Sequence, residues 1–292
     1  MIDKPGRYKI SFAEYLADPC QNPSLTRSTI KSLISETPRR AFLQHPRLNP
    51  QVVEKQSEKF DIGTAAHAIF LEGAADAVHV VLANDWRTNA AKAERDEAQS
   101  RGKIALLEHQ FVEVTAMVTA AHEALAEWEG NGWKIADGDV EQTFVWQESN
   151  GIWCRTRPDW ISKDRTLLID YKSTSMSANP QTLSRRISEM GYDIQESFYR
   201  RGITAVEGIT PRFVFLFQET ESPYLCSFVD LSSEFSDMGD QKVKYGIDLW
   251  KKCVSSGQWP GYPKRTCCID APPWALASWE LNKYLLDSPE AL

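Results

Sequence analysis

Two aspartates and a lysine carry the strongest chemical signal in this chain. Asp159 closes the run Arg155-Thr-Arg-Pro-Asp159, and Asp170 and Lys172 follow after a short turn in Leu168-Ile-Asp170-Tyr171-Lys172-Ser-Thr. Side chains along a strand repeat every two residues, so Asp170 and Lys172 share one face while Tyr171 turns into the core. The turn Ser162-Lys-Asp-Arg165 folds the two segments into a hairpin, which sets Asp159 beside Asp170. Paired carboxylates suit a hard divalent cation such as magnesium, which takes oxygen ligands and keeps several of its waters. An activated water, a neutralised phosphate and help for the leaving oxygen are what phosphodiester hydrolysis needs. Lys172 can reach the water or the phosphate, and the Tyr171 carbonyl is a further candidate ligand. Asp-x-Lys alone is a common string that a surface ion pair also explains. Pro158-Asp159 on the adjoining strand and a helix downstream make it more specific.

The surrounding pattern indicates how these residues are held. Val140–Trp146 alternates like a strand, Glu148-Ser-Asn-Gly151 turns, and Ile152–Trp160 and Thr166–Lys172 are further strands, so an antiparallel meander carries both aspartates. Upstream, residues 1–22 read as an irregular lead-in. Thr26 or Ser28 caps a helix whose Ile30, Leu33 and Ile34 share a face, and a shorter helix opens around Pro38 before Pro46 and Pro50 break it. Asp61–Glu72 reads as a compact buried helix stopped at Gly73, Val78–Leu82 as a short strand, and Ala90–Leu125 as one long helical stretch. Downstream, Gln181–Gly202 is helical, Arg212–Gln218 and Leu225–Val229 are strands, and Phe235–Ser255 is a long helix. A proline-bearing tail from Gly257 ends in a short helix over Trp274–Leu285. The pattern predicts a single domain over 1–292: a mainly helical part over 1–135, a core of sheet and helix over 136–230, and a C-terminal helix and tail over 231–292.

Composition narrows the class. Of the 292 residues 42% are apolar and 25% charged, as in an ordinary globular chain able to bury a core. No apolar run reaches the ~18 residues of a membrane span, and the N-terminus lacks an apolar signal core. The expectation is a cytoplasmic protein with reduced thiols and no membrane partner. A net charge of −7 argues against non-specific nucleic-acid binding as the whole function. Basic residues still gather at Arg27, Lys31, Arg39, Arg40 and Arg47, and at Arg155, Arg157, Arg185, Arg186, Arg200 and Arg201. A basic groove would suit a strand-tracking enzyme, although a solvated face is the plainer reading of each one singly. The cysteines are scattered, and Cys20, Cys253, Cys267 and Cys268 lack the compact spacing of an iron–sulfur site.

Other residues bear on the same chemistry. His67 lies on the small-residue helix, where a core histidine is the plain reading and a neutral imidazole ligand the functional one. Gln195 and Tyr199 share a helix face. Glu72 and Glu141 are extra carboxylates near the expected site, and either is a further candidate metal ligand. Taken in order, Gly63-Thr-Ala-Ala-His67-Ala-Ile-Phe-Leu-Glu, Cys154-Arg-Thr-Arg-Pro-Asp159, Asp170-Tyr-Lys172 and Ile194-Gln195-Glu-Ser-Phe-Tyr199 resemble the motifs of the PD-(D/E)xK nuclease superfamily. Within it they resemble the RecE (exonuclease VIII)-like exonucleases of phages and prophages. Ile10-Ser-Phe-Ala-Glu-Tyr and Pro23-Ser-Leu also look like that group, and the resemblance spans residues 8–230.

The resemblance implies a mixed α/β fold with a restriction-endonuclease-like core, in which a central mixed sheet is flanked by helices behind a helical N-terminal half. The site would lie where the meander splays. Catalytic roles are implied for Asp159, Asp170, Lys172, Gln195 and Tyr199, with Gln195 and Tyr199 touching DNA or orienting the lysine. A metal site is implied at His67, Asp159, Asp170 and the Tyr171 carbonyl, with magnesium as cofactor and manganese able to replace it. The implied activity is a DNA exonuclease acting 5′→3′ from duplex ends and leaving 3′ single strands for a strand-annealing partner. A ring-shaped homo-oligomer is among the assemblies implied. Alternatives are a single-strand or adaptive-immunity nuclease of the same superfamily, and a DNA-binding module that kept the fold and lost catalysis. Asp170 stands where glutamate is commoner, which shortens the arm and keeps the charge.

Overall fold

The computed structural model describes residues 1–51 and 62–286. Tertiary contacts group Met1–Trp259 into one compact unit and Pro260–Leu292 into another. The first unit opens on β1 (Gly6–Tyr8) and α1 (Phe12–Leu16), where a lead-in without regular structure was expected. Ser11 and Glu14 form a reciprocal capping box that lets so short a helix persist. Next come α2 (Arg27–Ser35), capped by Thr26, and α3 (Pro38–Gln44), capped by Thr37 with proline in its first turn. The buried helix is α4 (Ile62–Glu72); Asp61, expected at its start, lies outside the described residues.

The single long helix expected over Ala90–Leu125 is two helices with a strand between. After β2 (Val78–Val81) the chain forms α5 (Asn89–Ser100), β3 (Ile104–Leu107) and α6 (Glu108–Glu127). Gly102 sits at φ +72 and donates to the carbonyl of Gln99, while Lys103 donates to Ala98. This is the left-handed stop that glycine adopts without a Cβ penalty. The freed Ile104–Leu107 then pairs in parallel with β2. The apolar run looked helical because a short buried strand and a helix segment share that pattern.

The meander is likewise cut in two. Its strands are β4 (Gly138–Val140), β5 (Thr143–Gln147), β6 (Trp153–Thr156), β7 (Trp160–Ser162) and β8 (Leu167–Thr174). Pairing of β4 with β7 ends at Val140↔Trp160, and pairing of β5 with β6 begins at Phe144↔Thr156. Between them Pro158 has no N–H to give, and Glu141 takes a left-handed backbone at φ 53. Two sheets result. One has the order β1-β5-β6, and the other, with β9 (Arg212–Glu219) and β10 (Cys226–Val229), runs β10-β9-β8-β7-β4. The β8–β9 pair is parallel, so the chain crosses over through α7 (Leu183–Met190) and α8 (Tyr192–Glu207).

Alternation along β8 and β9 then sorts side chains to two covered faces. Leu167, Ile169, Tyr171, Val214 and Leu216 pack against Ala66 and Phe70 of α4 and Met117 of α6. Leu168, Phe213, Phe215 and Phe217 pack against Leu183 and Ile187 of α7 and Ile203 of α8. Helix α8 also carries Phe198 onto Trp146 of the other sheet, ring centroids 4.8 Å apart, and packs on α9 (Ser233–Ser256). Burying side chains of this size is worth about 1.5–3 kcal/mol each. Among the described residues no helix is long and apolar enough to cross a membrane. The second unit holds α10 (Pro273–Leu286), which exposes Trp274, Trp279 and Tyr284.

Candidate active site

The break between the two sheets is where the chemistry gathers. Asp159 precedes β7 and Glu141 follows β4, and the Glu141 N–H donates to the Asp159 carbonyl at 3.1 Å, so one backbone contact holds both acids at the fork. His67 projects from α4, its Nε2 lying 3.5 Å from Glu141 Oε1 and 3.5 Å from Asp159 Oδ1. One donor atom from each of the three lies within 4.8 Å of the others. Asp159 Oδ2 accepts a hydrogen bond of 2.8 Å from the Tyr171 N–H. A strand residue directs its N–H and C=O to the same side, so the Tyr171 carbonyl faces that fork as well. The Tyr171 ring lies in the core, with its hydroxyl donating to Gln218 at 2.6 Å.

Asp170 and Lys172 share the opposite face of β8, as their spacing requires, and form an ion pair. Asp170 is fully buried, and its Oδ2 accepts 2.5 Å from Gln195 Nε2 on α8. Lys172 Nζ stands 5.4 Å from the centre of the Tyr192 ring. Tyr199, one turn beyond Gln195, packs against Phe213 at 6.2 Å between centroids. Burial raises its hydroxyl well above the ordinary range, and the charges of Asp170 and Asp159 act in the same direction.

The electrostatics are those of a cation site. Burial and then the charge of Asp159 push Asp170 up to about 6. Burial would raise Asp159 too, but the hydrogen bond and charge of His67 and the charge of Lys172 bring it below its ordinary value. Burial and Asp159 lift Glu141 to about 7, against the pull of Arg157 and His67. Burial would lower His67, yet the hydrogen bond it donates to Asp159 and the charges around it raise the imidazole to about 9. His67 and Lys172 thus set up to two positive charges among three converging acids, the charge a divalent cation would supply in their place.

Glu141 was legible as one of two extra carboxylates that could join a metal site, and the fold makes it the member of the cluster. Glu72, its companion in that reading, is exposed at the end of α4. Tyr15 and Arg157 went unnoticed as neighbours of the site. Arg157 forms an ion pair with Glu141 and donates to the Ile10 carbonyl at 2.8 Å. Several of the basic residues hold the structure together. Arg155 is buried on Asp18 at 2.9 Å, Arg47 binds the carbonyls of Cys20 and Gln21, and Arg185, Arg200 and Arg201 pair with Glu189, Glu196 and Glu148. Beside Lys172 stand Arg27, 5.6 Å over the same Tyr192 ring, and Arg186, which donates to Thr174 Oγ1 at 2.8 Å.

A family model described as a PDDEXK-like domain of unknown function, DUF3799, matches residues 27–271. Among solved structures, the crystal structure described as a “putative exonuclease” from Eubacterium rectale matches with a TM-score of 0.60 at 10% identity, covering 93% of this chain and 99% of that one. At that identity the likeness is one of fold. No curated protein matches.

Proposed function

The chain belongs to the PDDEXK-like family DUF3799 and has its restriction-endonuclease-like mixed α/β fold, and from that premise we propose that it is a divalent-metal-dependent nuclease. The observation that carries the reading is the convergence of His67, Glu141 and Asp159 at one fork, with the Asp170–Lys172 pair beside it. The donor set fits a divalent cation: carboxylate oxygens suit magnesium, and an imidazole adds affinity for a transition ion such as manganese. His67, Glu141, Asp159, Asp170 and the Tyr171 carbonyl would hold it, and it would supply Lewis-acid activation of water and neutralisation of the phosphate. Lys172 is paired with Asp170; with a cation held by that carboxylate, its ammonium would be left to meet negative charge developing on the phosphate. Gln195 keeps the Asp170 carboxylate oriented through its amide. In this reading Tyr199, one turn beyond Gln195 on α8, meets the strand from that side.

The finer reading rests on the resemblance of the ordered motifs at His67, Asp159, Asp170-x-Lys172 and Gln195-x-x-x-Tyr199 to RecE-like exonucleases. On it, the substrate is a duplex DNA end, one strand is removed 5′→3′, and the 3′ strand left behind is passed to a strand-annealing partner in the cytoplasm. A ring-shaped homo-oligomer belongs to the same reading. Linear duplexes labelled at the 5′ or the 3′ end, and a covalently closed circle, test it in magnesium and in manganese. The expected result is loss of the 5′ label from linear DNA, an intact circle, and no activity in Lys172→Ala. Digestion from 3′ ends alone, or nicking of the circle, overturns the polarity and the end requirement. Undiminished cleavage by Lys172→Ala overturns the active-site assignment.

A further inference from the structure

Helix α1 is short and buries none of its residues, yet it carries two aromatic rings at the edge of the site. Phe12 is 59% exposed, and its ring lies within 17° of parallel to that of Tyr15, centroids 6.5 Å apart. Both rings line a cavity of about 650 Å³ between α1 and α3, together with Thr26, Ser28 and Thr29 at the start of α2 and with Gln44. The same two rings lead to the acid cluster. The Arg157 guanidinium stands 6.0 Å from the Phe12 ring and is paired with Glu141, which lies 3.5 Å from His67. The Arg155 guanidinium lies 5.2 Å from the Tyr15 ring.

A lone exposed phenylalanine means little. An exposed ring aligned with a second ring, bordering a cavity and one guanidinium away from a cluster built for phosphodiester chemistry, presents a flat apolar face where a strand would pass. Every nucleobase has a π-face to lay on such a platform, and the Ser28 hydroxyl and the amide N–H groups of Gln44, whose oxygen accepts from Ser32, can meet its polar edge without selecting a sequence. We propose that this cavity is a nucleobase subsite: an unpaired base of the strand being cut stacks on Phe12 and Tyr15 while a neighbouring phosphodiester lies over the acids. The inference rests on the nuclease reading and adds to it that the strand is held unpaired beside the site, with a base gripped as well as the backbone.

The test uses fluorescein-labelled single-stranded oligonucleotides, fully based or carrying one abasic residue moved stepwise along the strand. Binding is read by anisotropy in calcium and cleavage in manganese. Stacking of one base on an aromatic ring is worth about 5- to 150-fold in affinity. The wild-type protein is expected to prefer the fully based strand by about tenfold when the abasic residue falls at one register, an effect of the lower end of that range. Phe12→Ala should lose the preference and bind both strands alike, and Phe12→Trp should restore it. Because Phe12 is largely exposed, neither change threatens the fold. A wild-type protein that cleaves but shows no register-specific preference overturns the subsite and leaves the nuclease reading standing. So does a Phe12→Ala variant that keeps the preference, or one equally impaired on based and abasic strands. A wild-type protein that neither binds nor cleaves any of these single strands also overturns the subsite, while the nuclease reading stands or falls with the labelled duplexes.

Discussion

Replacing Gln195 with leucine removes the amide that donates to Asp170 Oδ2 at 2.5 Å while keeping the side chain's bulk. Both residues are buried, so the lost hydrogen bond is one to a charged acceptor away from water, worth about 1.5–3 kcal/mol. One pKa unit is about 1.4 kcal/mol, so Asp170 moves up by about one to two units, from a starting point that burial and Asp159 have already pushed to about 6. At pH 7 its ionised fraction then falls from about nine-tenths to between about one-half and one-tenth. Manganese affinity, measured by calorimetry, should drop about two- to tenfold at pH 7 and recover at about pH 9, where the carboxylate is ionised again. Stability of the metal-free protein carries a sign as well. The folded pKa lies above the ordinary 3.8, so the contribution of Asp170 is fully present below about pH 4 and is lost as pH rises through about 6; in the variant that loss extends to about pH 7–8. Carbon NMR of the Asp170 carboxyl in metal-free protein reads the midpoint directly. A midpoint that stays or falls, or an affinity deficit that persists at pH 9, refutes the role given to Gln195.

Glu141→Gln keeps the shape of the side chain at the fork and removes a ligand charge, so manganese affinity should fall about tenfold or more with the fold intact; unchanged affinity in calorimetry would remove Glu141 from the cation site. Arg155→Met leaves Asp18 buried without its guanidinium, and urea denaturation at pH 7 should show a loss of about 3–5 kcal/mol. Burial alone would raise Asp18, but His45, Arg155 and Ser24 hold it below its ordinary 3.8. The stability it contributes is therefore present above about pH 4 and lost as pH falls through the lower folded value, and in the variant the acid loss should begin at higher pH. Gly239→Ala would place a Cβ 2.4 Å from the Asp193 carbonyl oxygen, forcing α8 and α9 apart; thermal denaturation should reveal about 1–3 kcal/mol of destabilisation.

Much of the site was legible where the evidence is local. The two-residue spacing of Asp170 and Lys172 set their shared face, and the hairpin turn at Ser162–Arg165 set Asp159 beside them. The helix around His67 came from its small residues and its glycine stop, and the four-residue spacing of Gln195 and Tyr199 placed them on one face of α8. The cap of α2 was readable to one of two residues, Thr26 or Ser28, of which Thr26 serves, because a capping side chain acts within its own turn. Where the pattern failed, it failed at breaks. Ala90–Leu125 and the two long strands of the meander each ran through a residue, Gly102, Glu141 or Pro158, whose backbone ends an element. Hydrophobic periodicity is blind to such a stop when apolar residues continue on both sides of it.

Which atoms meet is another matter. Glu141 and Glu72 were equivalent as letters; the left-handed turn after β4 brings one to His67 and Asp159, and the last turn of α4 leaves the other in solvent. Gln195 turned out to face Asp170, because parallel pairing of β8 with β9 requires a crossover and α8 is the helix that covers that face. The aromatic pair on α1 borders the site because Arg157 ties the Ile10 carbonyl to Glu141 across the fork. Spacing along the chain fixes neighbours a few residues apart, since backbone geometry repeats on that scale. Residues brought together from α1, α4, the fork and α8 depend on how two sheets share one helix, and that is set by the packing of the whole core.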